Sequence, residues 1–388
     1  MKILHAYNRH RGIGGADNAW DETIRISREG GLTVEEFSRH SRDIPGNLRG
    51  KAQAFFSGLY SNSTVRDFDR TLDMVKPDIV HAHELYPLIS PWILKRCVKK
   101  GIPVVFTCYD YRMTCPVVTH FHKGRLCLRC QKGKEWWAVL KNCRGNIFES
   151  LAYGLRNWVA RTNRLFLDNV SQFIVLCDFS KQWLVNEVGI DPERVSINPC
   201  SVKYPEEPSD PSKGSYVAFA GRFVPEKGVE LLLEAARRLK IPVKLAGDSP
   251  THPAIRNGDL AECVMTQGKD ELAKFYREAR IVASPSIWYE TFGLVAAEAM
   301  SHGIPVIAPR FGALQSTVKD GVSGLLFEMN NVDDLTEKLS TLWNNPELAK
   351  KLGEGGRREV KERFDPTLQF NPLLEVYNKA IANPIKRK

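Results

Sequence analysis

The chain opens on an apolar run, MKILHAYN, that reads as a buried strand. The next stretch, GGADNAWDETIRISREGG, switches to the helical period and closes on glycines. The switch recurs. LTVEEFS reads as a strand, SNSTVRDFDRTLDMVKP as a helix stopped at Pro77, and DIVHAHE and IPVVFTCYD as strands. SPWILKRCVKKG between them reads as a helix with Ser90 as its N-cap and Pro91 at the first position. Residues 148 to 167 are helical again, followed by a strand, QFIVLCD, and a helix that Ser180 can cap. Strand and helix in alternation predict a doubly wound parallel sheet.

The alternation breaks at KYPEEPSDPSKGS, and residues 204–215 read as an interdomain linker. It then restarts. YVAFAG, PVKLAG and RIVASPS are strands. GVELLLEAARRLK is a helix with an apolar stripe at Val229, Leu232, Leu233 and Ala236, and KDELAKFYREA is another helix. TFGLVAAEAMSHG is helical with Gly303 as its stop, and IPVIA follows as a buried strand. The chain is helical and polar from Asp333. The pattern therefore predicts an α/β protein with a first domain over 1–203, a second over 216–370 and a terminal segment over 371–388. Residues 113–147, irregular and rich in Cys, Lys and Gly, read as an insertion in the first domain.

Length and composition fit two globular domains. The chain has 388 residues, 43% of them hydrophobic and 26% charged, a balance that argues against disorder. No run of about 18 apolar residues is present to span a membrane. The first strand lacks the long apolar region and cleavage site of a signal peptide, so a cytoplasmic location is expected. Nine cysteines in such a compartment argue against a disulfide framework. Charge changes the picture more. Net charge is +10, but residues 95 to 164 hold 15 Lys and Arg against 3 Asp and Glu, an excess larger than that of the whole chain. That segment calls for an acidic neighbour: a phosphate-bearing acceptor, an anionic membrane face or nucleic acid.

Two glutamates interrupt the apolar stretch SIWYETFGLVAAEAMSHGIPVIA. Glu290 falls at the helix entrance, and Glu298 roughly 12 Å further along the axis. Between them Gly293 offers bare backbone N–H groups at a helix N-terminus, a natural anion site, with Thr291, Phe292 and Leu294 beside it as binding candidates. Acceptors at both ends of an anion site suit a long ligand with hydroxyls at its ends and phosphates in the middle; two solvated helix glutamates would read the same way. AGRFVPEKGVELL adds Arg222 and Lys227 in a loop between strand and helix, where two cations can stabilise a departing nucleoside diphosphate without a metal. RGIGGADNA follows the first strand with Gly14 and Gly15 in a tight turn. Asp17 stands where a dinucleotide fingerprint has its third glycine, which argues against NAD. Asp67 and Asp69 sit two apart on a helix and point away from each other, a poor metal pair.

Cys115, Cys127, Cys130 and Cys143 form C-x11-C-x2-C-x12-C, a spacing that suits a structural Zn²⁺, with His120 and His122 as substitute ligands; four free thiols remain the alternative. Residues 144 to 164 carry Phe148, Leu151, Leu155, Trp158 and Val159 together with Arg144, Arg156, Arg161 and Arg164. That pattern fits an interfacial amphipathic helix, and equally a packed helix with a basic outer face.

WYETFGLVAAEA resembles the E-x7-E motif of the family 4 retaining glycosyltransferases. GRFVPEKGVELLLEA and GALQSTVKDGVSGLLFE resemble the same family's diphosphate loop and nucleotide-side segment. HAYNRHRGIGGADNAWDE, VHAHELYPLISPWIL and the four-cysteine insertion resemble a bacterial subgroup of it. The resemblance covers nearly the whole chain.

It implies the GT-B architecture: two Rossmann-like doubly wound domains facing a central cleft, with the terminal helix packing back on the first. It implies that Glu290 binds the hydroxyls of the donor sugar and Glu298 the nucleotide ribose. Arg222 and Lys227 would neutralise the diphosphate, helped by the N–H groups near Gly293 and Leu294, and the Gly14–Gly15 turn would close over the donor. One departure stands out. Where the family often has a histidine after the strand VVFTCYDY, this chain has Tyr109 and then Asp110. A tyrosine donates a hydrogen bond but is a poor base near neutral pH. Tyr109, Asp110, His81 and His83 are therefore all candidates for that position.

The implied activity is metal-independent, retaining hexosyl transfer from a UDP- or GDP-sugar to a glycan or lipid-linked acceptor, in bacterial surface polysaccharide or lipopolysaccharide assembly. Its setting would be peripheral to the anionic inner membrane face, with no nucleic-acid partner. The alternatives are a nucleotide-sugar epimerase of the same fold and, more remotely, a basic zinc-bearing nucleic-acid binder.

Overall fold

The computed structural model describes residues 1–12, 14–266 and 268–386. Ile13 of the glycine turn and residues 387–388 of the terminal segment lie outside the described residues. The chain divides into two compact units. One comprises residues 1–120, 127–199 and 367–388; the other comprises 121–126 and 200–366.

The first unit is built on six parallel strands: β1 (Lys2–Arg9), β2 (Thr33–His40), β3 (Ile79–Ala82), β4 (Val104–Thr107), β7 (Gln172–Val175) and β8 (Val195–Ile197). The two short strands between, β5 (Phe121–His122) and β6 (Arg125–Leu126), form a separate antiparallel hairpin. The sheet order is β2-β1-β3-β4-β7-β8. Its direction of winding reverses between β1 and β3, the place where open α/β sheets bind ligands at their carboxyl edge.

Among the described residues the α-helices between these strands are α1 (Gly15–Glu29), α2 (Leu48–Leu59), α3 (Asn62–Val75), α4 (Trp92–Lys99), α5 (Trp136–Leu140), α6 (Ile147–Thr162) and α7 (Asp178–Trp183). One face of the sheet is closed by Phe68, Leu72, Ile93 and Leu94 against Leu4, Val80, Phe106 and Phe173. The other face, Ile3, Ile79, Val105 and Ile174, is closed by Leu373, Val376 and Tyr377 from residues 370–382, the last helix of the chain.

The second unit repeats the plan with β9 (Tyr216–Ala220), β10 (Val243–Ala246), β11 (Ala261–Val264), β12 (Ala279–Ala283), β13 (Val306–Pro309) and β14 (Gly324–Phe327). All are parallel, in the order β11-β10-β9-β12-β13-β14, and the reversal falls between β9 and β12. The helices are α8 (Val229–Leu239), α9 (Lys269–Arg277), α10 (Leu294–Ser301), α11 (Leu314–Thr317), α12 (Val332–Trp343) and α13 (Pro346–Arg363); α14 (Phe370–Ala382) is the terminal helix of the first unit. The expected stripe of α8, Val229, Leu232, Leu233 and Ala236, is buried against Val217, Val243 and Leu245.

Several local expectations are corrected. Ser90 is not an N-cap: its φ is +74°, its hydroxyl is buried without a hydrogen-bond partner, and α4 starts at Trp92 with Pro91 in the cap position. Ser180 lies inside α7, whose N-cap is Cys177. α6 ends at Thr162, earlier than the pattern suggested, where Arg164 turns to φ +49°. Within the 204–215 stretch, Arg357 donates to the carbonyls of Pro205 and Glu206, and Ser209 N–H donates to His302 O.

Candidate functional site

In the second unit the loops that follow β9 and β12 meet at the point of reversal. After β9 the chain makes a short turn over Pro225–Lys227, then passes through Gly228 at φ +69°. A Cβ at Gly228 would lie 2.1 Å from Pro285 O, so only glycine lets the two loops touch. Ile287 N–H donates to Glu226 O at 2.9 Å and fixes the contact.

That contact delivers Lys227 to Glu290. Lys227 Nζ is 2.6 Å from Glu290 Oε1, and the same oxygen accepts from Ser286 Oγ at 2.7 Å and Trp288 Nε1 at 3.0 Å. Glu290 is buried. Burial pushes its carboxyl up, but Lys227 and the two neutral donors outweigh that and hold it below the usual carboxylate range. Lys227 also sits 5.6 Å from the centre of the Trp288 ring. Arg222 is exposed on the same loop, whose Phe223 N–H is held by Asp248 at 2.9 Å.

Glu290 stands four residues ahead of α10 rather than in its first turn. Thr291 and Phe292 bridge the gap. Phe292 is buried against Phe364, and its carbonyl accepts from Thr317. Gly293 caps α10 at φ +87°, with a would-be Cβ only 2.5 Å from Leu314, and Leu294 begins the helix. Glu298, half-buried on α10, accepts from Tyr276 at 3.3 Å. The Cys200 thiol is pushed up to about 12 by burial and, secondarily, by the charge of Glu298.

In the first unit the candidates also gather where the sheet reverses. Gly14 is the N-cap of α1, and Gly15 is its first residue. Gly14 N–H donates to Asp17 Oδ2 at 3.1 Å, and Tyr7 OH donates to Oδ1 at 2.9 Å. Asp17 thus fastens the glycine turn to β1, a role no third glycine could fill.

A chain of hydrogen bonds crosses the β1–β3–β4 edge. His5 Nδ1 meets His83 Nε2 at 3.0 Å, and His83 Nδ1 meets Tyr109 OH at 3.1 Å. His81 is held between Tyr377 OH at 2.8 Å and Thr107 Oγ1 at 2.7 Å. All three histidines are buried and kept neutral by burial; His5 is pushed down to about 3. Asp110 is committed to Arg112, which donates to it at 2.9 and 2.6 Å and also pairs with buried Glu84. Sequence reasoning named His81 and His83 but missed His5, Glu84 and Arg112. An ionisable residue in each apolar strand or strand end was the signal available.

The four cysteines are reduced; Cys115 and Cys130 are buried, and Cys127 and Cys143 half-buried. Backbone N–H groups of Val117, Thr119 and His120 hydrogen-bond the Cys115 sulfur, and that of Ala138 the Cys130 sulfur. Their spacing is looser than a closed metal site. Among the described residues, the one set of three or more His, Cys, Asp or Glu ligand atoms within 4.8 Å of one another is His5, His81 and His83. Those histidine nitrogens are largely engaged with one another and with hydroxyls. His120 is held by Thr114 at 2.8 Å and by Cys127 O at 3.1 Å, not turned to the sulfurs. Asp67 and Asp69 pair with Arg39 and Arg96 respectively, each looking its own way.

Comparison with known proteins bears on this geometry. The glycosyltransferase family 4 model matches residues 28–203, and the glycosyl transferases group 1 model matches residues 203–359. An uncharacterised glycosyltransferase of Methanocaldococcus jannaschii is 42% identical over 152 residues, covering 38% of this chain and 43% of the relative. The chain spans about half the length of the curated relatives it matches. Among solved structures, the sucrose-phosphate synthase of Thermosynechococcus elongatus superposes with a TM-score of 0.72 at 19% identity, over 98% of this chain and 99% of that one. Anabaena HepE, solved in complex with UDP and glucose, superposes with a TM-score of 0.66 at 16% identity, over 97% and 99%. Those likenesses are of fold: two Rossmann-like α/β units of the GT-B kind. The two family matches run together from residue 28 to residue 359, a glycosyltransferase family 4 match followed by a glycosyl transferases group 1 match.

Proposed function

We propose that this chain moves a hexose from a UDP- or GDP-sugar to a hydroxyl of a glycan or lipid-linked acceptor, with retention at the anomeric carbon. The observation that carries the reading is the Lys227–Glu290 pair, set beside Arg222 and the start of α10 where the second sheet reverses. Arg222, Lys227 and the N–H groups at Gly293 and Leu294 take up the charge of the departing diphosphate. That work needs no metal ion. Glu290 receives hydroxyls of the donor sugar, and Glu298 those of the ribose.

Retention by front-side attack fits the first unit's candidates. The acceptor oxygen bonds the anomeric carbon as the sugar–phosphate bond breaks, and the leaving phosphate oxygen takes the acceptor proton. No protein base is then required, which suits the engaged state of Asp110. Tyr109, backed by His83, recognises a hydroxyl in place of the family's histidine, and Asp110 positions Arg112. The Gly14–Gly15 turn contributes backbone to ligand binding. HepE, a fold neighbour solved with UDP and glucose, supports the donor class.

The reading extends to bacterial surface polysaccharide assembly, at a membrane that supplies the acceptor. It also includes a structural Zn²⁺ on Cys115, Cys127, Cys130 and Cys143, within an insertion characteristic of a subgroup. Four thiols in one loop and amide N–H groups aimed at two of the sulfurs support that part, and the ion would have to draw the thiols closer than they stand here.

The test is ligand-induced thermal stabilisation with UDP, GDP, ADP, CMP and their sugar conjugates, EDTA present. Saturation at a hundred times Kd adds about 2.7 kcal/mol to stability. One nucleoside diphosphate series is expected to raise the melt, and Arg222→Ala to erase the rise. No shift with any of them sinks the proposal.

A further inference from the structure

Helix α6 is turned inside out. Ser150, Gly154, Arg156, Asn157 and Ala160 face inward, while Phe148 is 76% exposed, Trp158 50% and Leu151 44%. The polar inner face has definite work. Asn157 donates to Arg112 O at 2.5 Å, Arg156 lies between the rings of Tyr86 and Tyr153 at 4.4 and 3.6 Å, and Ser150 Oγ donates to Asn142 Oδ1 at 3.0 Å. Gly154 lets α5 pack close, since a Cβ there would sit 3.3 Å from Val139. With its polar side committed, the helix must present Ile147, Phe148, Leu151 and Trp158 to the outside. α5, packed on it, adds Leu140 at 67% and Trp136 at 51% exposure. The outer side of the helix is therefore apolar at Ile147, Phe148, Leu151 and Trp158 and basic at its ends, where Arg144, Arg161 and Arg164 are exposed; only Arg156 of the four arginines turns inward.

Positive charge predominates in the segment that carries α5 and leads into α6, where Glu149 of α6 lies 3.7 Å from Arg144. Residues 127–147 contain five Lys and Arg and one acid, Glu135, which is buried and paired with Arg161. Lys132, Lys134, Lys141 and Arg144 are exposed. A second copy of this chain would bring like charges together across a two-fold contact. Nucleic acid would satisfy the cations but gain little from an aliphatic and aromatic face. A surface with anionic headgroups over an accessible hydrocarbon interior complements both features, and tryptophans favour that boundary. Among the described residues no helix is long and apolar enough to cross a membrane, so attachment here is in the interface plane.

We infer that α5 and α6 form a docking face for an anionic lipid bilayer, with Phe148, Leu151 and Trp158 inserted and the flanking lysines on the headgroups. The inference deepens the lipid-linked-acceptor part of the proposed function and rests on it for its purpose; its test does not use turnover.

The full chain is floated with phosphatidylcholine vesicles and with vesicles carrying phosphatidylglycerol, at low and high salt, without donor or acceptor. Binding is expected to the phosphatidylglycerol vesicles and to weaken in high salt. Combined Phe148→Ser, Leu151→Ser and Trp158→Ser is expected to reduce binding about tenfold or more, with far-UV circular dichroism and melting unchanged because these side chains are exposed. Lys132→Gln, Lys134→Gln and Lys141→Gln together should remove the preference for phosphatidylglycerol. A parent chain that does not float with phosphatidylglycerol vesicles overturns the inference, as does undiminished binding by the serine variant. So does a parent that elutes as a dimer and becomes monomeric in that variant without any vesicle binding. Nucleotide-induced stabilisation measured on the same preparations separates failure of this face from failure of the donor site.

Discussion

Lys227 and Glu290 are 63 positions apart, yet their Nζ and Oε1 atoms lie 2.6 Å from each other, on loops that leave neighbouring parallel strands. The ammonium brings a formal charge to Glu290 Oε1, where Ser286 and Trp288 bring neutral donors. Glu290→Gln keeps the shape and the two neutral donors but removes the charge. It is expected to lower sugar transfer about a hundredfold or more while costing stability only about 1–2 kcal/mol. Steady-state turnover and urea unfolding of the same variant check both halves. Unchanged turnover would refute the role given to Glu290.

Buried histidines make stability depend on pH with a definite sign, and three of them stand together. His5, His81 and His83 are held neutral by burial first, with nearby positive or imidazole groups adding to it. The unfolded chain binds protons near pH 6.5 that the folded chain refuses. Stability contributed by these groups is therefore present above about pH 6.5 and is lost as pH falls below it, by up to about 1.4 kcal/mol per pH unit for each histidine. The depressed Glu290 carboxyl loses its contribution only lower, as pH falls below the ordinary glutamate range. Urea unfolding from pH 7.5 to 5 isolates the histidine window. His5→Gln should flatten the slope there by about one proton's worth; a slope unchanged by that substitution would mean His5 is protonated when folded.

Much of this architecture was legible because buried parallel strands read as apolar runs between helical periods. The elements that escaped were short or atypical: β8, β11 and β14 are three or four residues long, and α2 carries Gly50 and Gly58. Glu290, Arg222 and Lys227 could be singled out as charges set in apolar or glycine-bearing surroundings. That Lys227 pairs with Glu290 could not, because it depends on two loops touching through Gly228, a contact with no periodic signature. α6 shows the limit most clearly. Its apolar stripe was visible, but which way the stripe faced depended on Arg112, Tyr86 and Asn142, all distant in sequence or in an irregular loop.

Gly228 offers a direct check on that loop contact. At φ +69° a side chain is strained in itself, and a Cβ would collide with Pro285 O. Gly228→Ala is expected to cost more than about 1 kcal/mol. Because Lys227 precedes it, nucleoside diphosphate affinity should fall as well. Gly258, also at positive φ but with open space around it, is the control: Gly258→Ala should carry the strain without the loss of affinity. Equal effects of the two substitutions on nucleotide binding would show that the contact between the loops does not hold the site.

The four-cysteine loop makes a prediction of another kind. Residues 127–147 have few apolar residues of their own turned inward, Cys130 and Ala138 being the buried ones. A loop so poor in core needs another source of order. If Cys115, Cys127, Cys130 and Cys143 close on one Zn²⁺, the ion supplies it, and protein prepared without chelators should carry about one zinc per chain. Cys127→Ser should then lower zinc content and the melting temperature together, because binding energy of the ion is folding energy for the loop. It should leave nucleotide-induced stabilisation in place, since the donor residues belong to the other compact unit. Since α5 lies inside this loop and packs on α6, zinc loss should also weaken vesicle binding. Protein that contains no zinc by elemental analysis, and melts alike with and without added Zn²⁺, would leave four reduced thiols whose N–H···S contacts alone order the loop.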